Sequence, residues 1–282
     1  IHIKHRKMIT GSEFEARKVS RSCFEKVSDY FFDQYHKNKF GIEKHPNKGR
    51  SSLRESSCVY ISQNGERRRY ETQNLPEKQD GTVRFVFISD IHSTMNSLDL
   101  TNVPYGDVLI IAGDIAMTSI RFSDGYCYEH YSYFNRWLAG LPHTRKFVIG
   151  GNHDAFLEKL SKQEVQELLS AATYLEDSGA TVNGLRIWGS PVSWGNSPNR
   201  AFQNRHAERL AKIEPCDVLI THHCVEEGIP ELAEKVREIA PRVHVSGHVH
   251  YWYGSKLEDG ILSINASSLN TKYAPVNLTQ VT

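Results

Sequence analysis

The stretch Val83-Arg84-Phe85-Val86-Phe87-Ile88-Ser89-Asp90-Ile91-His92 decides the fold. Its first seven residues alternate and are rich in β-branched and aromatic types, which predicts a strand over 83–89. There the apolar run stops, and a carboxylate and an imidazole follow two positions apart. The same event recurs four times downstream. Residues 108–111 run into Gly113-Asp114, and 147–149 into Gly151-Asn152-His153-Asp154. Residues 218–220 run into Thr221-His222-His223, and 243–245 into Gly247-His248-Val249-His250. In open α/β sheets, sites lie just beyond the carboxyl ends of strands, so five such ends can converge on one cleft.

The intervening segments carry helical spacing. Residues 130–141 place Phe134, Trp137, Leu138 and Leu141 on one face, and 165–172 do the same with Val165, Leu168, Leu169 and Ala172. Helices are also expected over 202–213 and 230–239, the latter with Pro230 in its first turn. Asn183-Gly184 reads as the turn of a hairpin over 181–187. Two or three more strands are expected after Trp252, one over 261–265. Strand–helix alternation followed by late hairpins indicates an α/β domain with mixed sheets.

Residues 1–80 have another texture. They hold 17 Lys and Arg against 11 Asp and Glu, whereas the remainder holds 17 against 22, and the whole chain of 282 residues carries +1. No strong nucleic-acid signal results. Residues 24–40 contain Phe24, Val27, Phe31, Phe32 and Tyr35, compatible with a short amphipathic helix. Pro46-Asn47-Lys48-Gly49-Arg50-Ser51-Ser52 is a linker composition. Arg67-Arg68-Arg69 offers an anionic contact, although such a run is ordinarily a solvated face. Residues 1–80 therefore read as a basic, partly disordered extension, and 81–282 as the domain that carries the chemistry.

At 39% hydrophobic and 24% charged residues, a globular core is feasible. No stretch approaches the roughly 20 apolar residues of a membrane-spanning helix. The five cysteines (Cys23, Cys58, Cys127, Cys216, Cys224) are scattered and form no C-x-x-C, which argues against a disulfide scaffold or a thiolate zinc site. A reducing compartment and a cytoplasmic location are the simplest expectation. The chain opens on Ile1, so upstream targeting signals are not judged.

The residue types at the five strand ends point to metal chemistry. Two side chains two apart on extended backbone point the same way, so Asp90 and His92 can grip one cation, and His248 and His250 likewise. Asp114 can bridge two cations through its two oxygens, and Asn152 offers a neutral carbonyl oxygen. Seven candidate donors (Asp90, His92, Asp114, Asn152, His222, His248, His250) exceed the need of one ion and fit two. A mixed nitrogen and oxygen set without cysteine suits Mn, Fe or Zn better than Ca or Mg alone. Two cations about 3.5–4 Å apart clamp a phosphate and activate a water. Singly, each of these turns is commonplace; the five in order, each after an apolar strand, are not.

The ordered string Asp90-x-His92, Gly113-Asp114, Gly151-Asn152-His153-Asp154, His222 and Gly247-His248-x-His250 resembles the calcineurin-like metallophosphoesterase superfamily. The resemblance spans about residues 83–282. Pro104-Tyr105-Gly106-Asp107, Tyr174-Leu175-Glu176-Asp177-Ser178 and Ile264-Asn265-Ala266-Ser267 are similar to the metallophosphoesterase-domain-containing phosphodiesterases, the adult-brain protein 239 group. The resemblance implies two mixed β-sheets packed as a sandwich flanked by helices. It implies that Asp90, His92 and His250 hold one metal, that Asn152, His222 and His248 hold the other, and that Asp114 bridges them. It further implies hydroxide generated on the metal pair as nucleophile, with His153 and Asn152 at the phosphate and His153 assisting the leaving group. The implied activity is a binuclear phosphodiesterase of small phosphodiesters, cyclic nucleotides foremost, with Mn or Fe and with Zn or Mg as further options.

Departures and alternatives accompany that reading. His223-Cys224-Val225 stands where close relatives often carry Gly-Pro-Pro, and His223 is an extra imidazole expected to point away from the metals. No acidic partner for His153 is evident in the sequence. Trp194 and Arg200 are weaker candidates for substrate contact, by stacking and by phosphate binding. A phosphomonoesterase of nucleotides or phosphoproteins is the competing enzymatic reading. A weakly active nucleotide-binding regulator on the same fold is the non-enzymatic one, and the complete His248/His250 pair speaks against it. Asn265 and Asn277 fall in glycosylation sequons expected to be unused.

Overall fold

Alternate side chains of Phe85–Ile88 face two different cores. Val86 and Ile88 pack on one side with Leu109, Ile111 and Val148, while Phe85 and Phe87 pack on the other with Val108, Ile110 and Phe147. Strands covered on both faces need apolar residues at every position, which is why these segments read as unbroken runs. The structure, a computed structural model, describes residues 57–95, 103–117, 122–195 and 198–282. The helix expected within 24–40, the linker at 46–52 and Cys23 lie outside the described residues.

Thirteen strands among the described residues form two mixed sheets. They are β1 (Ser57–Ile61), β2 (Arg67–Glu71), β3 (Phe85–Ile88), β4 (Val108–Ala112), β5 (Arg145–Ile149), β6 (Thr173–Tyr174), β7 (Ser178–Val182), β8 (Leu185–Ser190), β9 (Val218–Thr221), β10 (Val243–Ser246), β11 (Gly254–Glu258), β12 (Ile261–Asn265) and β13 (Thr279–Val281). The first sheet runs β2-β1-β13-β3-β4-β5-β6 and the second β11-β12-β10-β9-β8-β7. Between them, Phe87, Ile110 and Ile149 of the first meet Ile187, Ile220, Val245 and Ile264 of the second in one cluster. Helix α1 (Asp124–Gly140), with α2 (Ala155–Lys159) and α3 (Lys162–Leu168), covers the outer face of the first sheet. Helices α4 (His206–Ala211) and α5 (Pro230–Ile239) cover that of the second. This is the expected α/β sandwich flanked by helices.

Local chemistry explains the boundaries. Ser123 caps α1 by accepting from the Tyr126 N–H, so the helix starts before the expected 130. Pro230 stands in the first turn of α5 as expected. Asn183 and Gly184 both adopt positive φ, the requirement of a type I′ hairpin turn. The helix expected over 202–213 is shorter, because Phe202 and Arg205 are left-handed and forbid a helix before His206.

The expected boundary at residue 81 needs correction. β1 pairs in parallel with β13, and β2 pairs antiparallel with β1, so residues from 57 onward belong to the first sheet. Arg67, Arg68 and Arg69 lie exposed on its edge strand. Such an edge strand carries few inward apolar residues and so gives little signal in sequence.

Parallel pairing fixes where the chemistry collects. β3, β4 and β5 run in register, Ile88 opposite Ile111 and Ala112 opposite Ile149. β9 and β10 run parallel in the other sheet. Ser89 joins the two sheets at their ends, donating its N–H to the Ala266 carbonyl and accepting from the Ser268 N–H. All five carboxyl ends therefore open on the same edge of the sandwich.

Candidate metal centre

Immediately past these strand ends the backbone turns sharply. Asp90, His92, Ser93, Asp114 and His248 all have positive φ, between 44° and 66°. None is glycine, and strain of this kind persists only where the surroundings enforce it. The extended backbone expected for Asp90-x-His92 and His248-x-His250 is absent. Asp90 and His92 still come together, but His248 and His250 diverge into different groups.

Three interlocking turns hold the site. Asp90 accepts the His248 N–H at 3.0 Å on both oxygens, which ties the first strand end to the last. His92 donates its N–H to the Asp114 carbonyl, and Asp90 donates to that of Gly113. The Asp154 carboxylate, fully buried, accepts N–H groups from Gly151 at 2.8 Å and from Ile115 and Ala116 at 3.2 Å, plus the Tyr131 hydroxyl at 2.7 Å. It thereby clamps the Asp114 turn to the Asn152 turn. The sequence shows Asp154 without showing this part, because a buried carboxylate and a surface one look alike there. Asn265, read as a sequon, is 1% exposed and donates to the Gly247 and Val249 carbonyls, holding the His248 turn.

The side chains form two groups that share Asp114. In the first, donor atoms of Asp90, His92 and His250 lie within 4.8 Å of one another; in the second, those of Asp114, His222 and His248 do. His92 Nε2 stands 3.6 Å from Asp114 Oδ2, and His222 Nε2 stands 3.2 Å from Asp114 Oδ1. Asn152 joins the second group, its Oδ1 3.1 Å from His222 Nε2 and 2.8 Å from His248 Nδ1. His153 lies against the first, its ring edge-on to His92 at 4.6 Å. All eight residues expected at the centre are thus brought together.

Backbone carbonyls choose which imidazole nitrogens face inward. His222 Nδ1 donates to Ala112 O at 2.8 Å and His250 Nδ1 to Asn270 O at 3.0 Å, which leaves each Nε2 on the carboxylate side. Asn270 and the adjacent Tyr273, whose ring stands 5.1 Å from His92 and 5.0 Å from His250, were not anticipated. They come from a loop with no apolar pattern.

The electrostatics are those of a site built around positive charge. Burial alone would raise the Asp90 and Asp114 carboxyls, yet His250 and His222 respectively hold them below the usual range. Burial opposes charge on His222, but Asp114 prevails and pushes it up to about 9. His248 is pushed down to about 4 by burial and by His222. His92 is fully buried with neither ring nitrogen hydrogen-bonded, and its Nε2 faces two carboxylates at 3.6 and 3.9 Å. A buried imidazole with no partner is costly, and a cation between it and the carboxylates removes that cost. The donor set and the unpartnered His92 both fit bound metal.

The remaining candidates lie around this centre. His223 does not point away as expected: its ring stands 4.7 Å from that of His248, and with Glu227 and His248 it forms a further group whose donor atoms lie within 4.8 Å of one another, while its Nδ1 accepts the Trp194 N–H at 3.2 Å. Trp194 is half-buried and stacks on His206 at 4.3 Å. Arg200 is exposed on the same segment. Trp188 is buried in the outer core of the second sheet.

A family model described as calcineurin-like phosphoesterase matches residues 83–252, the span that holds all five turns. The chain belongs to that family. This phosphoesterase is similar to metallophosphoesterase domain-containing protein 1 of Homo sapiens, 35% identical over 71% of this chain and 70% of that one. It is also similar to UPF0046 protein C25E10.12 of Caenorhabditis elegans, 31% identical over 70% of this chain and 80% of the relative. Among solved structures, TT1561 of Thermus thermophilus is similar at TM-score 0.45 and 13% identity, over 65% of this chain and 89% of that one. That last likeness adds nothing on function. Family membership makes the protein a metal-dependent hydrolase of phosphoesters. Among the described residues, no helix is long and apolar enough to cross a membrane.

Proposed function

We propose that the protein is a two-cation phosphodiesterase acting on small phosphodiesters, with cyclic nucleotides as the foremost class. One observation carries the reading: Asp114 offers one oxygen to the His92 side and the other to the His222 side, so a single carboxylate serves two donor groups. Asp90, His92, His250 and Asp114 hold one cation; Asp114, Asn152, His222 and His248 hold the other. Mn and Fe suit this donor set best, with Zn and Mg as further options. When bound, such a pair clamps the phosphoryl oxygens and acidifies a water.

The chain's own residues do the rest. Asn152 turns Oδ1 toward His222 and His248. His153 donates its backbone N–H to Asp114 Oδ1 at 2.8 Å, which places its ring at the rim of both groups. Burial lowers its pKa, whereas an anionic phosphate beside the ring favours the protonated form. The imidazolium formed with substrate then gives its proton to the leaving oxygen as the ester bond breaks.

The test compares bis-p-nitrophenyl phosphate, p-nitrophenyl phosphate and cyclic nucleotides with Mn²⁺. Diesters turning over faster than the monoester, with loss of cyclic-nucleotide turnover in His153→Ala, support the reading. Preference for the monoester, or cyclic-nucleotide turnover unchanged in His153→Ala, overturns it.

A further inference from the structure

The segment after β8 wraps back onto the Asn152 turn and is bonded to it in both directions. Ala201 donates its N–H to the Asn152 carbonyl at 3.2 Å, and Asn152 Nδ2 donates to the Asn199 carbonyl at 3.1 Å. That second bond fixes which way the Asn152 carboxamide faces, because the amide end is taken and Oδ1 is left for His222 and His248. Asn199 also reaches the next residue: its Nδ2 lies 3.4 Å from His153 Nε2. Catalytic contacts are commonly long before substrate closes the site.

The segment is anchored away from the cleft. His223 accepts the Trp194 N–H and donates its own N–H to the Val192 carbonyl. His206 Nε2 donates to the Ser193 carbonyl at 2.7 Å, and the Phe202 N–H donates to Glu158 at 2.8 Å. Residues 192–194 before Asn199 and 201–202 after it are therefore held by hydrogen bonds.

We propose that Asn199 is a positioning residue for His153: its carboxamide donates to Nε2 of the neutral ring, which sets the ring's orientation with the proton on Nδ1, and turns its Oδ1 to accept from Nε2–H when the ring is protonated. This rests on the reading of His153 as the group that assists the leaving oxygen. It supplies the orienting partner that the sequence does not reveal, and that partner is a neutral amide rather than a carboxylate. A carboxylate at 199 would accept from Nε2–H and so select the opposite tautomer.

The test separates the side chain from the backbone. Asn199→Ala keeps the carbonyl that orients Asn152, so cation content should match the wild type. Loss of a positioned proton donor hurts poor leaving groups most, because p-nitrophenolate departs without a proton. The expected result is a roughly 10- to 100-fold fall in turnover of an alkyl phosphodiester, against less than about threefold for bis-p-nitrophenyl phosphate. Adding Asn199→Ala to His153→Ala should cost nothing further. Equal losses on both esters, or additive losses in the double variant, overturn the proposal.

A second readout does not need turnover. Long-range ¹H–¹⁵N spectra of histidine-labelled protein loaded with Zn²⁺ report the tautomer of His153. The expected state is Nδ1-protonated in the wild type and Nε2-protonated in Asn199→Asp. An Nε2-protonated ring in the wild type overturns the proposal whatever the esters show. A wild type inactive on every ester, with the expected tautomers, counts against the activity and leaves the positioning contact standing.

Discussion

His222 Nε2 stands 3.2 Å from Asp114 Oδ1, across the site from His92, whose Nε2 faces the other oxygen of the same carboxylate at 3.6 Å. Both donor groups are therefore exposed to any change at Asp114. Asp114→Asn leaves one oxygen and no charge. It should weaken cation binding at both groups together, on the order of 10- to 100-fold. Calorimetric titration with Mn²⁺ checks this, and weakening at only one group counts against a shared ligand.

Asp154 predicts a coupling between stability and metal. In Asp154→Asn the amide N–H group replaces one oxygen and faces either the Gly151 and Ile115 N–H groups or that of Ala116, donor against donor. Tyr131→Phe removes only the hydroxyl and should cost about 1–3 kcal/mol. Both variants should unfold earlier in denaturant and bind cation more weakly, Asp154→Asn the more so. Wild-type affinity in either would show that the clamp is not needed for the site.

Gly247 tests close packing. A Cβ there would collide with Ser89 Oγ and Asp90 Oδ2. Gly247→Ala should fold, because the obstruction lies at a turn beyond the strands, and should lose the cation of the Asp90 group selectively. Metal analysis showing a full complement would refute this.

Two histidines outside the site predict the acid limb of stability. His143 and His244 are buried, and burial pushes each down to about 4. Thr221 donates its hydroxyl to the His223 carbonyl, so it accepts from His244 Nε2–H, and Nδ1 is left with no hydrogen-bond partner. In the fold these rings stay neutral, whereas in the unfolded chain they take protons below about 6.5. Stability should be fully present above pH 6.5 and fall as pH drops towards 4, by up to roughly 3 kcal/mol per group. Melting temperature against pH measures it. His143→Gln should flatten that limb, and an unchanged slope would exclude His143 as a cause.

The sequence made the centre legible for a physical reason. Strands buried on both faces must be apolar throughout, so the point where Ile88, Ala112 or Ile149 gives way to a polar turn is plain in the chain. The donors sit at those points. What stayed hidden depends on three-dimensional turns. Left-handed backbone at His248 separates it from His250, and alternation along an extended strand could not anticipate that. β1 and β2 were missed because an edge strand such as Arg67–Glu71 exposes nearly all its side chains. Asn199, Asn270 and Tyr273 act through loops, where no periodicity marks the face that meets the site.

Counting cations tests the central claim most directly. Elemental analysis after equilibration with Mn²⁺ should find two ions per chain in the wild type, one in His92→Ala and one in His222→Ala. The double variant should hold none. One ion in the wild type, or one ion retained in the double variant, would contradict a pair of cations joined through Asp114.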